Sequence, residues 1–262
     1  MGFLYETHMH TCQGSRCGVS TGKEQAEFYK EAGYTGIIIT DHFFGGNTAP
    51  DRSLPWKERV EWYCSGYEDA KAEGDRIGLD VFFGIEQNFE GDEYLIYGLD
   101  KEYLLKHPEM EHWTRQQQLD EVHRAGGCLI QAHPFRIRGY MNNIKVGDLF
   151  ADGIEAANAG NDPLDDARAY RMGNAMGLVM TAGSDNHHSP APAEKLYGVE
   201  LEKRLTCIGD YVKIILGKNK ISLHVPADRF VLAPGQVPDE RHFAYRLNKE
   251  EQALPFENQW MD

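Results

Sequence analysis

Phe3-Leu4-Tyr5-Glu6-Thr7-His8-Met9-His10-Thr11 is the stretch that decides the fold. Residues 3–6 read as a short strand, and two histidines follow it, spaced two apart. In an extended backbone, alternate side chains share a side, so both imidazoles would point the same way and form a ready chelate for one metal ion. The same pattern repeats further along the chain. Residues 36–40 run into Asp41-His42, 81–84 into Glu86, 128–132 into His133-Pro134, and 178–181 into Gly183-Ser184-Asp185-Asn186-His187. With 94–97 and 154–156 these make seven strands, enough for a small barrel.

Amphipathic stretches lie between the apolar runs, the pattern of an α/β protein with a mainly parallel sheet. Thr21 and Glu24 form a capping box that opens a helix running to Ala32 and ended by Gly33. A second helix follows Ser53 and Pro55, with Trp56, Val60, Tyr63 and Tyr67 at helical spacing. Residues 114–124 form a third that stops at Gly126 and Gly127, and 165–172 a fourth that stops at Gly173. Trp56, Trp62 and Trp113 read as core. In a barrel of parallel strands the carboxyl ends converge on one face, so the scattered imidazoles and carboxylates become one site.

The 262 residues, 41% hydrophobic, suffice for one large core. We expect a barrel over residues 1–225. Over 226–262 the periodicity weakens and Pro234, Pro238 and Pro255 appear, which reads as a lid, an oligomer arm or partly disordered chain. The formal net charge of -14 opposes broad attraction to polyanions, so no nucleic-acid scaffold and no membrane partner is expected, and a phosphate must be met by local positive charge. The apolar runs are too short to cross a bilayer and no secretory segment is evident, which reads as a cytoplasmic protein. Five cysteines without a CxxC pair suggest reduced thiols. Composition leaves the oligomeric state open.

The landmarks His8-Met9-His10-Thr11, Ile39-Thr40-Asp41-His42, Gly84-Ile85-Glu86, Gln131-Ala132-His133-Pro134-Phe135 and Ala182-Gly183-Ser184-Asp185-Asn186-His187 follow one another in order. In this the chain closely resembles the polymerase and histidinol phosphatase (PHP) family across residues 3–197. The resemblance implies a distorted (β/α)7 barrel and two or three divalent ions, whether manganese, iron or zinc. By that resemblance His8, His10, Glu86 and Asp185 would hold one metal, Glu86 would bridge to a second held also by His133, and His42 and His187 would hold a third. Two departures stand out. Where many members have an Asp or His after the paired histidines, this chain has Gln13, Gly14, Ser15, Arg16 and Cys17, leaving the third site vacant, water-completed or dependent on Cys17. Where many place a histidine on the fourth strand, this chain has Glu93, a hard oxygen ligand in its place.

The chemistry expected is hydrolysis of a small phosphorylated substrate by metal-activated water, with a phosphomonoester favoured. A phosphodiesterase or cyclic-phosphate hydrolase, a histidinol-phosphate phosphatase and a non-catalytic metal-binding module are the alternatives. Arg16, Arg136 and Arg138 are candidates to grip phosphate, Arg136 first, against a reading as solvated surface charges. Asp41 reads as an orienting partner for a ligand imidazole or as a proton acceptor. Ser184 and Cys17 lack a convincing nucleophile-base arrangement, Cys17 because no histidine is close to it in sequence. Asn158 reads as a substrate-orienting residue or as a loop residue making its own turn. His107, His112, His123, His188, His224 and His242 read as structural or surface residues.

Overall fold

The computed structural model describes residues 2–139, 143–231 and 243–256. Pro234, Pro238 and His242 lie outside the described residues. The chain opens with β1 (Phe3–Met9), α1 (Gly22–Glu31), β2 (Gly36–Ile39), α2 (Trp56–Ile77), β3 (Asp80–Phe89) and β4 (Asp92–Tyr97). Next come α3 (Lys101–Lys106), α4 (Arg115–Arg124), β5 (Cys128–Ala132), β6 (Asn143–Val146) and β7 (Gly153–Asn158). The remainder is α5 (Pro163–Met176), β8 (Val179–Gly183), β9 (Gly198–Leu201), α6 (Ile208–Leu216), β10 (Ser222–His224), β11 (Phe243–Leu247) and β12 (Ala253–Pro255).

Among the described residues, nine strands form one sheet in the order β10-β9-β1-β2-β3-β4-β5-β7-β8. The seven expected strands are its run from β1 to β8. The sheet nearly closes into a barrel: the backbone after β8 meets β1, where Asp185 N–H donates to the His8 carbonyl and His10 N–H to the Asn186 carbonyl.

The expected mainly parallel sheet needs a correction at two places: β9 runs antiparallel to both β1 and β10, and β4 runs antiparallel to both β3 and β5. At β4 the cause is a tight hairpin between β3 and β4, where Glu90 and Gly91 both take positive φ, 52° and 110°. Two such residues match the twist of the flanking strands in a two-residue turn. The reversal matters for the site, because it puts the start of β4, and with it Glu93, at the end of the barrel where the parallel strands finish.

The capping box at Thr21 and Glu24 forms, with Glu24 N–H donating to Thr21 Oγ1 and Thr21 N–H to the Glu24 carboxylate. Helix α4 starts from an equivalent box at Thr114 and Gln117. The stop expected at Gly173 does not occur: α5 continues to Met176 and ends at Gly177, which is left-handed with φ 64°. Gly173 is instead a contact residue, since a Cβ there would lie 2.5 Å from Met180 Sδ. Trp56 and Trp113 pack against the core from partly buried positions, whereas Trp62 is 42% exposed, on the outer face of α2 and not in the core.

Strands β11 and β12 form a small sheet with β6, in which β11 runs parallel to β6. Ion pairs from Arg246 to Asp148 and from Arg115 to Glu251 fasten this segment to the barrel. No helix among the described residues is long and apolar enough to cross a membrane.

Candidate metal centre

Glu86, at the middle of β3, is fully buried, and imidazoles approach it from several strands. His8 Nε2 lies 3.2 Å from it, His10 Nε2 3.4 Å, His42 Nδ1 2.6 Å and His133 Nε2 3.3 Å. Asp185, at left-handed φ 53° just after β8, comes within 3.0 Å of His10 Nε2 and 3.5 Å of His8 Nε2. Glu93, from the start of β4, lies 3.5 Å from His133 Nε2. The donors fall into four overlapping groups, each with its atoms within 4.8 Å of one another: His8, His10 and Asp185; His8, Glu86 and His133; His42, Glu86 and Glu93; and His10, His42 and His187. Glu86 belongs to two of them. His133 also has positive φ, 29°, so two donors sit on strained backbone that the surrounding fold must hold in place.

The second ring nitrogens reveal how the imidazoles are set. His8 Nδ1 lies 3.0 Å from Glu155 Oε1, and since a carboxylate accepts, Nδ1 carries the proton and Nε2 is bare. Ser15 Oγ donates to Asp41 Oδ1 at 2.7 Å and accepts from His42 N–H at 2.9 Å. With its proton committed to Asp41, it accepts from His10 Nδ1 at 3.0 Å, so His10 Nε2 is bare too. His187 Nδ1 donates to the Asp185 carbonyl at 2.7 Å, which likewise leaves Nε2 free. His8 Nε2, His10 Nε2, His42 Nδ1 and Glu86 Oε2 are buried without a hydrogen-bond partner. Unpaired buried polar atoms carry a desolvation cost, and a divalent ion with nitrogen and oxygen ligands is the partner this donor set fits.

The electrostatics are those of a mixed-charge cluster. Burial alone would push His8 down, but Glu155, Asp185 and Glu86 hold it well above the ordinary imidazole value. Burial, with His187 and His42 alongside, holds His10 well below it. Burial opposes charge on Glu86 and Asp185, yet His42 and His8 for the first, and His8 and Arg136 for the second, keep both well below the usual carboxylate range. Burial raises Asp41 to about 6 despite the donors from Thr11 and Ser15.

Of the three arginines, Arg136 and Arg138 line a cavity of about 540 Å³ over the cluster, together with Cys17, His42, Gly45, Asn47, Asn88 and His187. Arg16 is exposed and is not among the lining residues. Arg136 bonds to Asp185 Oδ2 at 2.6 Å, Asn161 Oδ1 at 2.5 Å and Asn158 Oδ1, and Arg138 bonds to Glu93 Oε2 at 3.0 Å. Asn158 also donates to Glu155 at 2.8 Å, so it belongs to the network around the site as well as to its own turn. Ser184 Oγ is occupied between the Tyr197 backbone groups.

The sequence reading missed Glu155 and Ser15. Glu155 was the more detectable, as a lone carboxylate within the apolar strand β7, where an acid needs a partner. Cys17 lines the same cavity as His187 and His42, and although burial opposes the thiolate, these imidazoles lower the thiol to about 6. Folding joins what sequence distance separates.

No protein-family model and no curated protein sequence matches the chain. Among solved structures it is similar to a protein from Bifidobacterium adolescentis described as a metal-dependent phosphoesterase, at 17% identity over 82% of this chain and 96% of that one, TM-score 0.52. It is also similar to a two-domain protein from Bacteroides vulgatus described as containing a PHP-like metal-dependent phosphoesterase, at 16% identity over 86% of this chain and 65% of that one, TM-score 0.60. A third likeness is to endonuclease Q in complex with a 27-mer duplex carrying an abasic lesion, at 12% identity over 85% of this chain and 58% of that one, TM-score 0.56. These likenesses establish the fold as the PHP-type barrel. They also correct the expectation of no nucleic-acid scaffold: endonuclease Q has this fold and holds a DNA duplex, so the fold admits such a substrate. Local charge at the site governs binding there.

Proposed function

We propose that the protein is a metal-dependent phosphoesterase that hydrolyses the phosphomonoester of a small metabolite with water as the nucleophile. The observation that carries this reading is the set of bare, buried donor atoms beneath a cavity of about 540 Å³ rimmed by Arg136 and Arg138. His8, His10, Glu86 and Asp185 would hold one divalent ion, Glu86, His133 and Glu93 a second, and His42 with His187 a third, manganese, iron and zinc all suiting parts of the set. Bound there, such ions lower the pKa of a water and neutralise charge on phosphoryl oxygens. The chain's own groups do the rest. Glu155 keeps the proton on His8 Nδ1, and the Asp41–Ser15 pair keeps it on His10 Nδ1. Arg136, held by Asn158 and Asn161, supplies fixed positive charge beside Asp185 where a phosphate would enter.

A second reading, cleavage of a nucleic-acid phosphodiester, is favoured by the fold shared with endonuclease Q and its bound duplex. The test is one panel: metal-loaded protein against sugar phosphates, nucleoside monophosphates, cyclic phosphates and an abasic-site duplex. Release of inorganic phosphate from a small monoester, abolished by chelator, is the expected result. Strand cleavage without phosphate release would transfer the proposal to the second reading, and metal binding with no hydrolysis of any ester would leave a non-catalytic module.

A further inference from the structure

Arg229 follows the barrel strands and is not among the residues lining the cavity over the metal cluster, yet its side chain is turned inward and only 10% exposed. Its Nε donates to Asp166 Oδ2 at 2.7 Å, and its Nη2 to the carbonyls of Asn161 at 2.7 Å and Asn158 at 3.2 Å. One side chain thus fastens both ends of the turn after β7 and pairs with a fully buried carboxylate. The same turn and the same carboxylate hold Arg136. Asp166 Oδ1 accepts from Asn161 Nδ2 at 2.7 Å, and Glu155 Oε2 from Asn158 Nδ2 at 2.8 Å. Because a carboxylate accepts, these bonds fix both amides with their oxygens toward Arg136. Arg136 Nε donates to Asn161 Oδ1 at 2.5 Å, Nη2 to Asn158 Oδ1, and Nη1 to Asp185 Oδ2 at 2.6 Å. Gly160 permits the close approach, since a Cβ there would lie 2.8 Å from Arg136 Nη2. Burial raises Asp166 to about 6 even with Arg229 beside it. Without that cation the carboxyl would protonate more readily, and a protonated carboxyl no longer fixes the Asn161 amide.

We propose that Arg229 is a positioning residue for the substrate phosphate: through Asp166 and the turn from Asn158 to Asn161 it aims the Arg136 guanidinium. The proposal rests on the metal-dependent phosphoesterase reading above. Beyond the N–H groups that bind Asn161, Asn158 and Asp185, each terminal nitrogen of Arg136 has one more N–H, a forked pair for two phosphoryl oxygens. Arg136 is positively charged whether or not it is aimed, so what Arg229 contributes is direction. A residue beyond the barrel strands thereby acts on a substrate it does not touch.

The experiment uses the full chain saturated with manganese, with inorganic phosphate as the probe and calorimetry as the readout. Arg229→Met should weaken phosphate binding by about 10- to 100-fold, the scale on which a displaced orienting group tells, with the manganese bound per chain unchanged. The decisive comparison is made in Arg136→Met: with Arg136 gone, adding Arg229→Met should weaken phosphate no further, a coupling that a merely structural role would not produce. Arg246→Met removes an ion pair to Asp148 away from the turn and should leave phosphate affinity as it was. Arg229→Lys keeps the charge beside Asp166 but cannot span the carboxylate and both carbonyls, so its affinity should fall between those of the Met variant and the unaltered chain. Unchanged affinity in Arg229→Met, or in Arg229→Lys if the Met variant does not fold, overturns the proposal alone. So does a loss from Arg229→Met that is as large without Arg136 as with it. If the unaltered, metal-loaded chain holds no phosphate, the phosphoesterase reading fails and the proposal with it.

Discussion

Glu155 sets His8 through its Oε1, and its Oε2 accepts from His133 N–H at 3.0 Å and Asn158 Nδ2 at 2.8 Å, so one carboxylate orients two donor residues. In Glu155→Gln an amide would face groups that themselves donate, and the His8 ring would lose its fixed tautomer. The expected outcome is a loss of about 10- to 100-fold in metal affinity with the fold kept, as is general for carboxylates behind ligand imidazoles. Competition with a chromogenic chelator measures it, and unchanged affinity would strip Glu155 of this role. Residues of this kind were the least legible in the sequence. His8, His10, Glu86, His133 and Asp185 stand out because imidazoles and acids at the ends of apolar strands are conspicuous. The groups behind them come from β7 and from the loop at Ser15, and which nitrogen they meet depends on how the strands are ordered. Arg136 shows the same limit, since its neighbours in sequence gave no sign of the Asn158, Asn161 and Asp185 contacts that hold it.

At the scale of elements, strand existence was written in apolar runs, but strand direction was not. The reversal of β4 follows from the Glu90-Gly91 turn, which reads as an ordinary loop unless the hairpin is considered. The short strands β6, β9, β10, β11 and β12 went unread because three to five residues carry too little pattern to separate from loop. What ties the β3–β4 hairpin to the turn between β11 and β12 is Arg115, whose Nε and Nη2 reach the two Asp92 oxygens at 2.6 Å and whose Nη1 reaches Glu251 at 3.0 Å. The Asp92 side chain is fully buried, and its charge has no other cationic partner among the described residues. Arg115→Met leaves that charge unpaired, which should destabilise the fold by about 3–5 kcal/mol, the usual effect of removing one member of a buried pair. A urea melt checks this, and a midpoint unmoved from that of the unaltered protein would show that solvent reaches Asp92. Catalytic constants need not change in step, because Arg115 does not touch the cavity over the metal cluster.

For the whole molecule, metal and protons compete. Burial opposes a charge on His8, but its carboxylate neighbours outweigh that and hold it well above the ordinary imidazole value. A divalent ion needs Nε2 bare, so protons and metal compete for it, and affinity should fall as the solution is acidified. Metal titrations at a series of pH values should show this fall, and an affinity independent of pH would remove His8 from the ligand set. The same linkage makes the ion a stabiliser: free metal at 100 times its dissociation constant adds about 2.7 kcal/mol, so chelator should lower the melting temperature. The closing contact between β8 and β1 carries a consequence for how the protein is made. His8 emerges from the ribosome early, Asp185 and His187 much later, and the pairing that unites them is among the most distant along the chain. Such contacts pay loop-closure entropy before they return any stabilisation and tend to form late. The ion therefore finds no complete site on the growing chain. It enters a barrel already assembled, and its main kinetic effect is to slow unfolding and leave the rate of folding almost untouched.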